Sequence, residues 1–95
     1  MLLHVVCFKY KADVDAATRA GHCDRLAALQ SLDGVIDLKV GADVVRSARS
    51  YDTALVITFP DRAALDAYQT NGRHVPVAQY GASLSDHIVA VDFEI

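Results

Sequence analysis

The run Leu3-His4-Val5-Val6-Cys7-Phe8 is apolar at almost every position, and it constrains the fold more than any other segment. Neighbouring residues in a strand point to opposite faces of a sheet. A first strand over Leu3–Lys9 would therefore be apolar on both faces and need covering on both. Helices of the same chain can cover one face, and the other requires a further layer.

The rest of the pattern supplies those helices. Asp13 is placed to cap a helix from about Val14 to Leu32, with Asp15 near its positive end. Two rows compete for its inner face, His22, Leu26 and Leu29 against Ala16, Ala20, Cys23 and Ala27. Asp33-Gly34 ends it, glycine suiting the left-handed conformation after a helix. A second strand is expected over Val35–Val44, with Ile36, Leu38 and Val40 on one face, and Arg46–Ser50 reads as a polar loop. A third strand over Tyr51–Phe59 puts Leu55, Ile57 and Phe59 opposite Ala54, Val56 and Thr58. Asp61 caps a second helix over Arg62–Asn71, and Pro76 opens a short extra helix to Tyr80. In the last strand, Ser85–Ile95, one face carries His87, Val89, Val91, Phe93 and Ile95, and the other carries Ile88 and Ala90 between Asp86 and Asp92.

The order β-α-β-β-α-β is the split βαβ, ferredoxin-like arrangement, an α+β fold with an antiparallel sheet and helices on one face. The other face then calls for a partner, most economically a second copy related by a two-fold axis. At 95 residues the chain provides for one domain, residues 1–95.

Composition removes several function classes. Nine Lys and Arg residues are scattered through a chain of net charge −3, without the basic stripe that nucleic-acid binding requires. No apolar run approaches the length of a membrane span, and the first residues lack the charged start of a signal peptide, so the expected location is the cytoplasm. Cys7 and Cys23 have no metal-ligand spacing and read as buried free thiols. The isolated histidines give no metal motif, and no glycine-rich phosphate loop or Gly-x-Ser-x-Gly elbow occurs, so neither metal nor cofactor is expected.

Several segments together carry a family resemblance. They are His4–Tyr10, Leu32-Asp33-Gly34-Val35, Tyr51–Val56, Leu65-Asp66-Ala67-Tyr68, His74-Val75 and Asp86–Phe93. On these the chain resembles the stress-responsive α/β-barrel (Dabb) family from end to end. The resemblance implies a homodimer whose two sheets face each other as a barrel, with a pocket between each sheet and its own helices. It also implies a possible activity, since one subgroup cyclises linear polyketides by cofactor-free aldol chemistry with a histidine and a tyrosine. By position His74 and Tyr68 match that pair, and His4 matches a further pocket histidine. The chain departs from the family where Asn71-Gly72-Arg73 replaces a His-Pro sequence, and where Thr53 stands at a third pocket histidine. Those departures argue against polyketide cyclisation itself.

The candidate site is thus His74 and Tyr68 as catalytic residues, with His4 and Thr53 contacting substrate. A histidine at a helix N-terminus is disfavoured as imidazolium and available as a base, and a tyrosine hydroxyl can polarise a carbonyl. Each has a plainer reading: a turn-fixing histidine, a core tyrosine, a satisfied core histidine at His4. His22 and His87 read as structural or surface residues, and Asp52, Asp86 and Asp92 as solvated charges at strand ends. Three functions compete: a homodimer binding a small apolar carbonyl or aromatic compound with proton-transfer chemistry, a non-catalytic stress or assembly module, and a cofactor-free oxygenase.

Overall fold

A computed structural model describes all residues, Met1–Ile95. Four strands form one antiparallel sheet: β1 (Leu2–Tyr10), β2 (Asp37–Ala42), β3 (Thr53–Phe59) and β4 (Ser85–Glu94), in the order β2-β3-β1-β4. Three helices, α1 (Ala16–Ala27), α2 (Arg62–Gln69) and α3 (His74–Leu84), complete the ferredoxin-like α+β fold. No helix is long and apolar enough to cross a membrane.

The two-faced first strand is realised as its alternation requires. Leu2, His4, Val6, Phe8 and Tyr10 are buried beneath the helices, while the residues between them are only half-buried on the open face. In β3 the buried set is Thr53, Leu55, Ile57 and Phe59. Leu26 and Leu29 meet these side chains from α1 and the 3-10 turn that follows it, Ala28–Ser31, Leu32 from just beyond that turn, and Leu65 and Tyr68 from α2. On the open face β4 leaves Val89, Val91 and Phe93 exposed beside Val5 and Cys7 of β1.

Several boundaries differ from the sequence expectation. The first helix is capped by Asp15, whose carboxylate accepts from the Thr18 N–H at 2.8 Å, and not by Asp13. It tightens into the 3-10 turn at Ala28, whose i→i+3 bonds satisfy its last carbonyls over one residue fewer. Of its two rows, the one carrying His22, Leu26 and Leu29 faces the core. Gly34 has φ +86, the left-handed value that favours glycine. Strand β2 is shorter than expected at both ends, leaving Ile36 and Val44 exposed, and β3 begins at Thr53.

Asp61 caps α2, accepting from the Ala64 N–H at 2.9 Å. Helix α3 starts at His74, two residues before the expected proline, and runs on to Leu84. Proline is tolerated throughout the first turn because those N–H groups have no partner within the helix. Thr70–Arg73 form the tight connection, in which the Asn71 carbonyl accepts from the N–H groups of His74 and Val75 at 3.0 Å each. Neither cysteine is fully buried: Cys7 is half-buried on the open sheet face, and Cys23 half-buried on α1.

Candidate active site

The fold brings three of the expected residues to one place. His4 rises from β1, Tyr68 from the last turn of α2 and His74 from the first residue of α3, and all three line a cavity of about 220 Å³. Apart from Gln69, the remaining lining is apolar and includes Phe8, Leu26, Leu55 and Ile88. No lysine, arginine or carboxylate side chain fronts this cavity.

The three rings form a contiguous array. Tyr68 and His74 have centroids 4.1 Å apart with planes inclined by 38°, and the His4 ring meets Tyr68 edge-on at 5.9 Å. Phe59 backs the array, 5.1 Å from Tyr68. Tyr68 is 2% exposed, and its hydroxyl has no hydrogen-bond partner. An orphaned buried hydroxyl is costly, and buried tyrosines usually have a partner. Burial also pushes the phenol pKa upward, so the group stays protonated and remains a donor.

The two histidines are held so that each offers one ring nitrogen. The Nδ1 of His74 faces the Gln69 carbonyl at 3.3 Å, and a carbonyl can only accept. Nδ1 therefore carries the proton in the neutral ring, and Nε2 keeps its lone pair. Burial lowers the His74 pKa from the ordinary value; the Gln69 bond opposes this and the neighbouring His4 reinforces it. The result is a neutral imidazole near pH 7, a form able to accept a proton. His4 is buried, and its Nδ1 is bonded to the Asp92 carboxylate, which likewise leaves Nε2 as the free nitrogen.

Asp92 was expected to be a solvated strand-end charge, and the structure instead pairs it with His4. The signal lay in register. His4 shares its face with Val6 and Phe8, Asp92 shares its face with Ile88 and Ala90, and β1 pairs with β4 in that alignment.

Thr53 is not part of this group. It pairs with Phe8 at the far end of the sheet and is buried beside a different depression, which Arg19, Cys23 and Arg46 also line. Asp52, next to it, is no solvated charge either. Its side chain is 5% exposed, accepts from the Tyr10 N–H at 2.9 Å and from Arg46 Nη2 at 2.7 Å, and lies near Lys9 and Arg19. Burial alone would raise its pKa, but these partners outweigh that and hold it below the ordinary carboxylate value. His22 is fully enclosed and shares a 2.7 Å hydrogen bond with the Tyr10 hydroxyl, whereas His87 is exposed. No group of three or more His, Cys, Asp or Glu side chains converges as metal ligands would.

An antiparallel four-stranded sheet with helices on one face, enclosing a polar-tipped apolar cavity, defines a ferredoxin-like α+β protein. More narrowly, the chain belongs to the stress-responsive A/B barrel domain family, whose model matches residues 2–95. Among curated proteins none matches it. Solved structures similar to it include a dimeric ferredoxin-like protein of unknown function from Thermobifida fusca. That protein has 23% identity and a TM-score of 0.90, over 99% of this chain and 90% of the other. A Dabb family protein with a ferredoxin-like fold from Mesorhizobium loti has 20% identity and a TM-score of 0.82, over 99% and 95%. A hydroxynitrile lyase from Passiflora edulis has 18% identity and a TM-score of 0.89, over 99% and 92%. At these identities the likeness concerns the fold.

Proposed function

We propose that the protein is a homodimer that takes a small, largely apolar carbonyl or aromatic compound into the His4–Tyr68–His74 cavity and moves a proton on it without a cofactor. The observation that carries this reading is the orphaned Tyr68 hydroxyl, stacked on a neutral histidine inside an apolar cavity. A substrate carbonyl oxygen would give that hydroxyl its missing partner. In this reading His74 Nε2 removes an acidic carbon-bound proton, and Tyr68 donates to the oxygen on which negative charge develops. The lack of charged groups around the cavity favours an uncharged ligand. Thr53 has no part here, because it lies at the other end of the sheet.

The second copy belongs to the same reading. Val89, Val91 and Phe93 leave an apolar strip on the sheet face that no helix covers, and a strip of that kind is suited to a partner. The Thermobifida fusca protein of similar fold is dimeric, which supports that choice of partner. The lyase similarity is compatible with base chemistry in such a cavity and goes no further toward a substrate.

The test follows 2-phenylpropanal in heavy water by NMR, reading loss of its α-proton signal. The wild type should accelerate exchange over buffer. His74→Ala should lose about a hundredfold or more of that acceleration, as removal of a positioned base does, with the dimer intact by light scattering. Exchange no faster than buffer across a panel of small aromatic aldehydes and ketones would count against catalysis. An unchanged rate in both His74→Ala and Tyr68→Phe would remove the assignment to these residues. The non-catalytic assembly module is the reading left standing if no compound of the panel exchanges faster than in buffer.

A further inference from the structure

In the reading above His74 takes the ligand's proton, and His4, the second imidazole on the same cavity, needs its own exchange with water if it is to bring a proton to the ligand or carry one off. His4 is 5% exposed and fronts an apolar cavity that a ligand would fill. Its partner Asp92 faces elsewhere: the carboxylate is not part of the cavity lining, and its side chain is 36% exposed. Asp92 borders a second depression of about 320 Å³, together with Leu2, Arg62, Asp66, Gln69 and Glu94. Gln69 fronts both spaces and so belongs to the wall between them. One hydrogen-bonded pair therefore spans that wall, with its imidazole on the cavity side and its carboxylate on the solvent side.

We infer that the His4–Asp92 pair is a proton route between the cavity and the outer depression, with Asp92 as a positioning and relay residue acting through His4. The inference rests on the proton-transfer reading above. When a proton reaches Nε2 from the cavity, the Nδ1–H passes its proton to the Asp92 carboxylate, which releases it to water outside. The ring is left protonated at Nε2. In the return passage water reprotonates Asp92, Asp92 protonates Nδ1, and Nε2 gives its proton to the cavity. One proton leaves and one enters, and only N–H and O–H bonds change. The acidic side chains around the outer mouth, Asp66 and Glu94 beside Asp92, face a single guanidinium, Arg62, which is already bonded to Asp66 at 2.9 Å. A route on this side stays open while a ligand occupies the cavity.

A purely structural role for Asp92 would fix the ring and nothing else, so the test must read proton movement. The experiment measures exchange of the His4 ring N–H with water by NMR, in the full chain labelled with ¹⁵N-histidine and without any substrate. Asp92→Asn can still accept the hydrogen bond through its carbonyl but cannot take up the proton. The expected result is an Nδ1–H tautomer in both proteins, with exchange slower in the variant by about a hundredfold or more, as loss of a positioned proton-transfer group predicts. Asp92→Glu should restore most of the rate. Ala78 of α3 lines the cavity, so Ala78→Phe narrows it; that variant should leave the ring N–H exchange rate unchanged and serves even if the asparagine variant folds poorly. Unaltered exchange in Asp92→Asn, or slowing by Ala78→Phe, would place the proton path through the cavity and overturn the inference. Because no substrate is present, this outcome is separate from failure of the aldehyde assay.

Discussion

The sheet carries two histidine–tyrosine groups on its helix face, one at each end, and they are built to opposite specifications. At one end His22 is fully enclosed, its Nδ1 is bonded to the Tyr10 hydroxyl at 2.7 Å, and Gly81 of α3 packs directly upon it. Behind Tyr10, Asp52 gathers Arg46 and the Tyr10 amide into a closed network. Arg46 is held there in the left-handed region at φ 55, with its N–H donating to the Asp43 carboxylate at 2.7 Å. At the other end His4, Tyr68 and His74 surround open volume, and the Tyr68 hydroxyl is bonded to nothing. The same residue types thus make a filled structural joint in one place and a reactive-looking cavity in the other. The distinction lies in whether the tyrosine hydroxyl has found a partner and whether the space beside it is filled.

The largest contrast should come from the carboxylates that serve the two ends. Asp52→Ala should destabilise the fold by about 3 kcal/mol, because the buried Tyr10 N–H and the Arg46 guanidinium lose a charged acceptor. Asp92→Ala should cost about 1 kcal/mol, the low end for orphaning one buried donor, the His4 Nδ1–H, since water can reach the place of the partly exposed carboxylate. Urea denaturation of both variants checks the pair, and equal losses would erase the contrast.

Next in size is Gly81→Ala. An added Cβ would stand 2.9 Å from His22 Nε2 and 3.3 Å from Phe8 Cε1. The enclosed end has no room to give, so a loss of about 1–3 kcal/mol is expected from overpacking. A neutral result would mean that α3 can shift away from His22 without penalty.

The two tyrosines allow the same substitution at both ends. Tyr10→Phe should cost about 1–3 kcal/mol, because it leaves His22 Nδ1 buried without a partner, as Nε2 already is. Tyr68→Phe removes a hydroxyl that bonds nothing and should leave stability within about 0.5 kcal/mol of wild type or raise it. If Tyr68→Phe proved the costlier change, the open end would be a structural joint like the other.

The smallest effect is on the pH dependence of stability. Burial lowers the pKa of His22 below its ordinary 6.5, and nearby Arg25 adds to the shift. The unfolded chain therefore takes up a proton at a higher pH than the folded chain does. The stability owed to a neutral His22 is complete above about pH 6.5 and declines as pH falls from there toward the folded-state pKa. The slope cannot exceed about 1.4 kcal/mol per pH unit for one group. His74, shifted in the same direction, adds to it. Denaturation midpoints between pH 7.5 and 5 should fall in the wild type and fall less in His22→Gln. A flat wild-type profile would show that His22 gains its proton without unfolding cost.

Much of the fold is legible in the sequence, because alternation and capping are local. The two-faced β1 strand, the Asp61 cap and the glycine at position 34 each follow from the chemistry of a few neighbouring residues. The mistaken boundaries are also local competitions. Asp15 displaced Asp13 as the cap by accepting from Thr18 N–H, and Pro76, tolerated in a first helical turn, did not mark where α3 begins. The candidate site was legible in part. His4 and Tyr68 fall on the elements expected for them, His74 opens α3 where a turn before that helix was expected, and the family pattern linked the three. Thr53 departs from that pattern at the position of a third pocket histidine, and its place along the strand carries it away from the cavity.

The sequence by itself determined which elements form, which faces of them are apolar, and that one sheet face lacks cover, since these depend on residue periodicity alone. Tertiary structure alone decided which polar atoms meet. That Asp92 holds His4, that Asp52 is buried under its cations, and that Tyr68 is left without a partner while Tyr10 has one all depend on the register between strands remote in sequence and on how closely α3 packs against the sheet. A hydrogen bond is fixed by distances of a few tenths of an ångström. Hydrophobic periodicity places a side chain on a face and leaves its polar partner undetermined.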